Sequence, residues 1–537
     1  MAKLSPMIRV IDTKCCVNVS QPRRLLSYKA FILVLTFFVY CSYHLSRKPI
    51  SIVKTVLNQN CSNMTDPNHT NNSHWCDWKP FDGDNSQTLL GFVDSAFLFA
   101  YAFGMFFSGV IAERMDLRIF LSIGMILSAV FNVMFGLGYT FNIHALWFYL
   151  AAQALSGIVQ STGWPGVVTV MGNWFSKGSL GLVFGIWNSH TSLGNILGSV
   201  IASAFVSSAW SMSFIIPGLI IGVLGVIVFF VLVPEPALVG LPNPNNSDDS
   251  PAGVSPPPRR RNIPVYAEGP DEERASLLDN EMQEQLINSR NPGNSYRLQD
   301  PPVACYDGSD KTPANIEEEK AINYFGALKI PGVVEFSLCL FFAKLVSYTF
   351  IYWLPNYIKK STTYSPEESG NLSTLFDVGG IIGAIAAGLL RDYTGMPACT
   401  CAVMLITAVP MMFVYNLYGD LTFGFNVFLL IVVGTLVNGP YALITTAVSA
   451  DLGTHESIRG NAKALATVSS IIDGTGSIGA AVGPLIAGPI SQTGWINVFY
   501  MLMGANVCAL LLLTRLVIRE VREFLLICRQ GRSTPAL

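Results

Sequence analysis

The chain has 537 residues, 51% of them hydrophobic and only 13% charged, with a mean hydropathy of +0.44. An average soluble domain carries about 25% charged residues, so the composition argues against a soluble enzyme. The formal net charge of −2 gives no reason to expect an anionic partner, and eleven cysteines in 537 residues do not make a disulfide framework.

Residues 1–29 are polar and basic, with no short apolar stretch ending in a small-residue cleavage site. Apolar runs of roughly 20 residues are long enough to cross a bilayer as helices. Twelve such runs follow: Ala30 to Ile50, Leu90 to Ile111, Ile119 to Tyr139, Leu146 to Met171, Leu180 to Val206, Phe214 to Val233, Val333 to Tyr357, Leu372 to Leu390, Cys399 to Tyr418, Phe423 to Val448, Ala462 to Ile486 and Val498 to Ile518. They predict two six-helix bundles, at 30–233 and 332–518, with a tail at 519–537. Several runs are rich in Gly and Ser, as closely packed membrane helices often are.

Lys3, Arg9, Lys14, Arg23, Arg24 and Lys29 precede the first run, whereas the loop at 51–89 carries only Lys54 and Lys79. The positive-inside rule therefore places both termini in the cytosol and this loop in a lumen or outside. The loop holds four N-x-[ST] acceptor sites, at Asn60, Asn63, Asn68 and Asn71. Cys61 and Cys76 share that oxidising side and could pair. Between the bundles, 234–331 reads as a disordered cytosolic linker, rich in Pro and charge. Glu273 to Leu278 within it has the form of an acidic dileucine sorting signal, or is an incidental Leu pair.

The two halves read as repeats. Gly104, Gly109 and Glu113 match Gly383, Gly388 and Asp392 at an offset of 279, while Trp164-Pro165 and Gly185 match Gly439-Pro440 and Gly460 at 275. Such internal symmetry is the signature of transporters built from repeats. The segment Gly109-Val-Ile-Ala-Glu113-Arg114-Met-Asp116-Leu-Arg118 and its counterpart Gly388-Leu-Leu-Arg391-Asp392 both resemble the cytosolic loop motif of the major facilitator superfamily. Glu113, Arg114, Arg118, Arg391 and Asp392 are read as gating latches at helix ends, not as ligand sites.

The most informative charges lie inside the runs. Tyr43-His44-Leu45-Ser46-Arg47-Lys48-Pro49 falls near the far end of the first. The two cations either snorkel to an interface or mark a functional site, the default for intramembrane charge. A guanidinium can hold a phosphate or carboxylate by two parallel bonds.

Arg47-Lys48, Gly163-Trp164-Pro165, Asn173-Trp174-Phe175-Ser176-Lys177 and Trp187-Asn188-Ser189-His190 resemble, in the same order, elements of the organophosphate:phosphate antiporters. The animal sugar-phosphate exchangers look closer still, through Leu338 to Tyr348, Leu375 to Gly380, Ser449 to His455 and Ile472 to Gly476. The resemblance covers the membrane part and not the linker. It implies a twelve-helix all-α carrier with pseudo-two-fold symmetry, exchanging a sugar phosphate of the glucose-6-phosphate class for inorganic phosphate. It also implies that Arg47 and His190 hold the phosphoryl group, with Trp164, Trp187 and Asn188 lining the same half of the cavity; Tyr43, in the segment that carries Arg47, is a further substrate-binding candidate. Relatives point to the endoplasmic reticulum, the dileucine-like segment to endolysosomes.

Two departures stand out. The bacterial carriers' second arginine, in span seven, falls at Ser347, and their span-two lysine at Met105. Lys344, three residues before Ser347 and on the same helical face, is read as the substitute cation or as a partner of Glu335 or Asp377. Tyr348, Tyr352 and Asp473 are candidates for the sugar side, with Trp353 and Asn438 beside them. Asp377 and Asp473 read by default as charge-paired buried acids.

An ion-coupled carrier of another organic anion and a non-transporting receptor are the alternatives. No His-x-x-x-x-Asp, Gly-x-Ser-x-Gly or phosphate-binding Gly-Lys-[Ser/Thr] loop marks an enzyme. No cofactor, metal or nucleic-acid partner is expected. The net charge also divides: Pro234 to Lys329 holds 16 acidic and 9 basic residues, leaving 19 acidic and 24 basic elsewhere. A basic membrane body is thus joined by an acidic linker.

Overall fold

A computed structural model describes residues 20–58, 77–175, 186–242, 324–453 and 462–531. The helices in chain order are α1 (Gln21–Arg47), α2 (Pro49–Leu57), α3 (Ser86–Arg114), α4 (Leu117–Thr140), α5 (Leu146–Gln160), α6 (Gly163–Trp174), α7 (His190–Val206) and α8 (Trp210–Val231). The second half has α9 (Tyr324–Leu328), α10 (Val333–Ser361), α11 (Pro366–Thr394), α12 (Pro397–Tyr418), α13 (Phe423–Leu443), α14 (Ser449–Gly453), α15 (Ala462–Gln492) and α16 (Trp495–Gly531). Ten helical stretches among the described residues are long and apolar enough to cross a membrane, and α7 is a shorter apolar helix.

Helix starts follow local chemistry. Asp116 accepts from the Arg118 backbone at the start of α4, and Thr422 accepts from the Phe425 backbone at the start of α13. Ser365 and Glu368 form a reciprocal capping box on α11. Each satisfies amides that the first helical turn leaves free.

Several boundaries differ from the sequence reading: α7 begins only at His190, α11 already at Pro366, and α15 runs on to Gln492. Four further differences shape the interior. The first span does not stop at Ile50, because Pro49 opens a second helix that runs buried to Leu57. Lys54, read above as a loop residue, therefore lies in the interior. The fourth span is two helices, broken at Ser161–Thr162, because Pro165 cannot donate to the Ser161 carbonyl. The tenth passes through a wide turn at Ile444–Val448. The last does not end at Ile518 but continues to Gly531.

The repeat is visible in the packing. In the first half α1 packs on α7, α3 on α5 and α4 on α8; in the second α10 packs on α15, α11 on α13 and α12 on α16. First therefore meets fifth, second meets fourth and third meets sixth in both. The halves meet through α3 against α15 and α7 against α11. Small residues allow this proximity: a Cβ on Gly370 of α11 would sit 2.0 Å from Ser203 Oγ of α7. Polar bonds between the halves gather toward the end that bears Asn58, Gln87 and Asn356. There Asn356 Nδ2 donates to Gln87 Oε1 at 2.8 Å, and Gln492 Nε2 donates to the Asp84 carbonyl at 3.0 Å.

Candidate functional site

Arg47 ends α1 and Lys48 forms the hinge before Pro49. Proline has no N–H to continue the helix, and the two consecutive cations leave the hinge toward different halves. Arg47 Nε donates to Gln160 Oε1 at 2.7 Å, and its guanidinium lies 4.6 Å from the ring centre of Tyr101 and 5.7 Å from that of Phe97. Gln160, at the end of α5, is itself held by Ser46 and Ser156. Arg47 Nη2 is buried without a hydrogen-bond partner.

Lys48 turns the other way. Its Nζ donates to the Ile351 carbonyl at 2.9 Å and lies 3.6 Å from Asp377 Oδ2. Asn195 Nδ2 donates to Asp377 Oδ1 at 2.9 Å, and Asn195 Oδ1 faces His44 Nδ1 at 3.3 Å. An amide oxygen only accepts, so this network assigns the His44 proton to Nδ1.

Two further lysines are also paired. Lys54 of α2 meets Asp94 of α3, both with fully buried side chains, and its Nζ lies 4.1 Å above the Trp353 ring. Lys344 Nζ donates to Asp473 Oδ1 at 2.7 Å and lies 5.5 Å above the Tyr441 ring. The partner of Lys344 is thus neither Glu335 nor Asp377: Glu335 lies 3.4 Å from Arg515, and Asp377 holds Lys48. Removing charges from water is costly unless they are matched, and each lysine here is matched.

Aromatic rings surround these groups. His190 packs against Trp187 at 4.4 Å and Tyr40 at 4.7 Å. Its Nδ1 is 3.1 Å from Thr191 Oγ1, and its buried Nε2 has no hydrogen-bond partner. Trp164 lies 5.2 Å from Tyr40, and Tyr43 reaches Thr162 at 3.3 Å through its hydroxyl. Asn188 is half-buried in the turn before α7. On the other half Tyr348 stacks on Tyr352 at 6.3 Å and meets Tyr441 edge-on at 6.4 Å. Tyr101 lies within electrostatic reach of Arg47, Lys344, Tyr348 and Asp473, and His44 within reach of Arg47, Lys344 and His190. The site-residue expectations from span one, span five, span seven and span eleven therefore converge on one region.

The helix-end charges stay within their halves. Arg118 lies 3.6 Å from Asp116 and 5.6 Å from the Phe229 ring centre. Arg391 bonds Asp392 at 2.8 Å and also pairs with Asp451, tying α11 to α14. Arg114 is exposed. The Glu113 side chain, Asn60, Asn63, Asn68, Asn71, Cys61, Cys76 and the dileucine-like segment lie outside the described residues.

Sequence reasoning missed Gln160, Asn195 and the Lys54–Asp94 pair. Asp94, a lone acid within an apolar run, was a readable signal. Gln160 and Asn195 were not, because uncharged amides are common in helices that pack closely.

The sequence pattern of the Major Facilitator Superfamily matches residues 32–462 and 336–524. The glucose-6-phosphate exchanger SLC37A2 of Homo sapiens is 55% identical over 499 residues, 92% of this chain and 93% of that protein. The glucose-6-phosphate exchanger SLC37A1 of Homo sapiens is 47% identical over 513 residues, again 92% and 93%. Among solved structures, a D-xylose-proton symporter aligns with a TM-score of 0.55 at 11% identity, over 90% of this chain and 97% of the other. A bacterial homologue of the human lysosomal transporter Spinster, inward-facing and unoccupied, aligns with a TM-score of 0.52 at 14% identity, over 95% and 99%. These two similarities carry the fold alone.

Proposed function

We propose that this chain, which belongs to the Major Facilitator Superfamily, exchanges a sugar phosphate of the glucose-6-phosphate class for inorganic phosphate by alternating access. The relatives' names support the substrate class. The observation that carries the reading is Arg47. Lys48, Lys54 and Lys344 each face an aspartate, whereas Arg47 is held by a neutral glutamine and keeps Nη2 free of hydrogen bonds. A buried guanidinium left with bonding capacity fits an oxyanion.

In this reading Arg47 binds the phosphoryl group and His190 Nε2 approaches it from α7, with Tyr43, Trp164 and Asn188 as the wall. Tyr348 and Tyr352 offer ring faces and hydroxyls to the sugar. Lys344 and Asp473 act as a pair, neither being a free ligand. An empty site with an unmatched buried cation crosses slowly and a filled one quickly, which couples the two fluxes.

The charge distribution supports cytosolic termini and a glycosylated lumenal loop, with the endoplasmic reticulum as the site of action and endolysosomes as the alternative. The end bearing Gln87 and Asn356 would then be the lumenal, closed end. Arg391, Asp392, Arg114, Arg118 and Glu113 would serve the opposite gate.

The test is reconstitution with labelled phosphate inside liposomes and glucose 6-phosphate outside. Phosphate release should require the external ester and vanish in Arg47→Ala. Release without the ester, retained exchange in Arg47→Ala, or abolition by a protonophore would each overturn the reading.

A further inference from the structure

Lys54 and Asp94 pair within the first half of the protein but are sealed by the second. Both side chains are fully buried, Lys54 on α2 and Asp94 on α3. Their cover comes from α10. Lys54 Nζ lies 4.1 Å above the Trp353 ring, 5.8 Å from the Tyr352 ring centre and 3.4 Å from the Tyr352 carbonyl oxygen. Trp353 is fixed in turn, since its Nε1 donates to the Pro484 carbonyl of α15 at 3.1 Å. Next to Asp94, Ser95 Oγ donates to the Ala481 carbonyl of α15 at 3.4 Å, so the seam between the halves runs beside the carboxylate. Lys54 also stands one turn of α2 before Asn58, toward the end where Gln87 meets Asn356.

The cover is chemically incomplete. Asp94 Oδ2 has Lys54, but Oδ1 is buried with no hydrogen-bond partner. The second half offers the ammonium a ring face and one long carbonyl contact, and offers Oδ1 no donor.

The structure assigns to Lys54 and Asp94 the role of a conformational counterweight: a charge pair that the second half must dehydrate to close this end, and that water reaches again whenever the end opens. This deepens the alternating-access part of the reading above and rests on it. Dehydrating an ion pair costs more than the attraction returns unless every lone pair is satisfied, and a stranded carboxylate oxygen adds to that cost. The first half keeps the pair in both forms, whereas Trp353 and Tyr352 leave with the second. The cost therefore falls on the closed form alone. The bonds from Asn356 to Gln87, from Gln492 to the Asp84 carbonyl and from Lys48 to the Ile351 carbonyl favour that form. The pair offsets them, so that closure at this end does not become a trap. An exchange cycle visits both forms, and it slows when either one dominates.

Two replacements should move the balance in opposite directions. Lys54→Met with Asp94→Val removes both charges and favours closure, as apolar replacement of a buried pair does elsewhere. Asp94→Asn leaves Lys54 charged and unmatched under the same cover, which disfavours closure.

The experiment uses the full chain in detergent, with Gln87→Cys as a reporter in every sample. A polar maleimide is added, and its rate of attachment is read from the peptide that carries position 87. That position is buried while this end is closed. The double variant should label about tenfold more slowly than the reporter alone, or slower still. Asp94→Asn should label faster. Both should exchange phosphate more slowly in liposomes.

Equal labelling in the double variant and the reporter alone would make the pair merely structural and overturn the inference. So would a shift of both variants in one direction. If the double variant fails to fold, Asp94→Asn decides: an unchanged or slower rate overturns the inference. Labelling needs no substrate, so it separates the two readings. Opposite shifts in labelling without ester-dependent phosphate release in the wild type would sink the exchange reading and leave the counterweight standing.

Discussion

The ammonium of Lys48 donates to the carbonyl oxygen of Ile351 at 2.9 Å, across the boundary between the two halves. That carbonyl is available because Pro355 lies four residues further along α10 and has no N–H to give it. A proline in one half thus creates the acceptor that a lysine in the other occupies, and Lys54 approaches the next carbonyl, that of Tyr352, at 3.4 Å.

Lys48→Met should therefore destabilise the protein. It strands Asp377, whose Oδ2 has only the lysine's charge at 3.6 Å, and uncaps Ile351. Removing one partner of a buried pair costs about 3–5 kcal/mol. The thermal midpoint in detergent should drop clearly, and Lys48→Met combined with Asp377→Leu should recover most of the loss. A single variant as stable as the wild type would refute the pairing.

Gln160 orients Arg47 through one charge-assisted hydrogen bond of 2.7 Å. Such a bond contributes about 1.5–3 kcal/mol. Gln160→Ala should raise KM for the ester by about tenfold to a hundredfold, because 1.4 kcal/mol is a factor of ten, with the maximal rate largely kept. Gln160→Glu should abolish exchange, since a carboxylate there would match the Arg47 cation.

The halves approach closely at Gly488. A Cβ there would stand 2.7 Å from the Gln87 carbonyl oxygen of α3, so Gly488→Ala must push the halves apart at that end. Overpacking of this kind costs about 1–3 kcal/mol. Exchange should slow about fivefold or more, as the form closed at this end becomes rarer. Unchanged exchange would show that this contact is not remade in each cycle.

Gln87 and Asn356 offer the complementary test. Their amides meet at 2.8 Å, one from each half. Cysteines at both positions, joined by a short thiol cross-linker, should stop exchange, and cleavage of the linker should restore it. Full exchange in the linked protein would mean that this end does not open.

Much of the architecture was legible in the sequence. Hydropathy is a local property, so the spans could be counted from apolar runs alone. The spacing of Gly104, Gly109 and Glu113 against Gly383, Gly388 and Asp392 also gave the repeat, and α3 and α11 are each 29 residues long, with those positions in the two helices only one residue out of step. The prolines at 49 and 165 were visible, but their effect was not read. Both break their spans, and the first break turns Lys48 toward the second half while Arg47 stays with the first.

The sequence by itself determined the membrane class, the two-fold plan and the position of Arg47, because each depends on residue type and short spacing. Only the tertiary structure decided the partners. Lys48 meets Asp377, Lys54 meets Asp94 and Lys344 meets Asp473, at separations of 40 residues or more. These helices are apolar around most of their circumference, so hydropathy does not fix their rotation about their own axes. That rotation decides which acid each lysine meets. It is also why the charge balance left Arg47 unmatched only once the helices were packed.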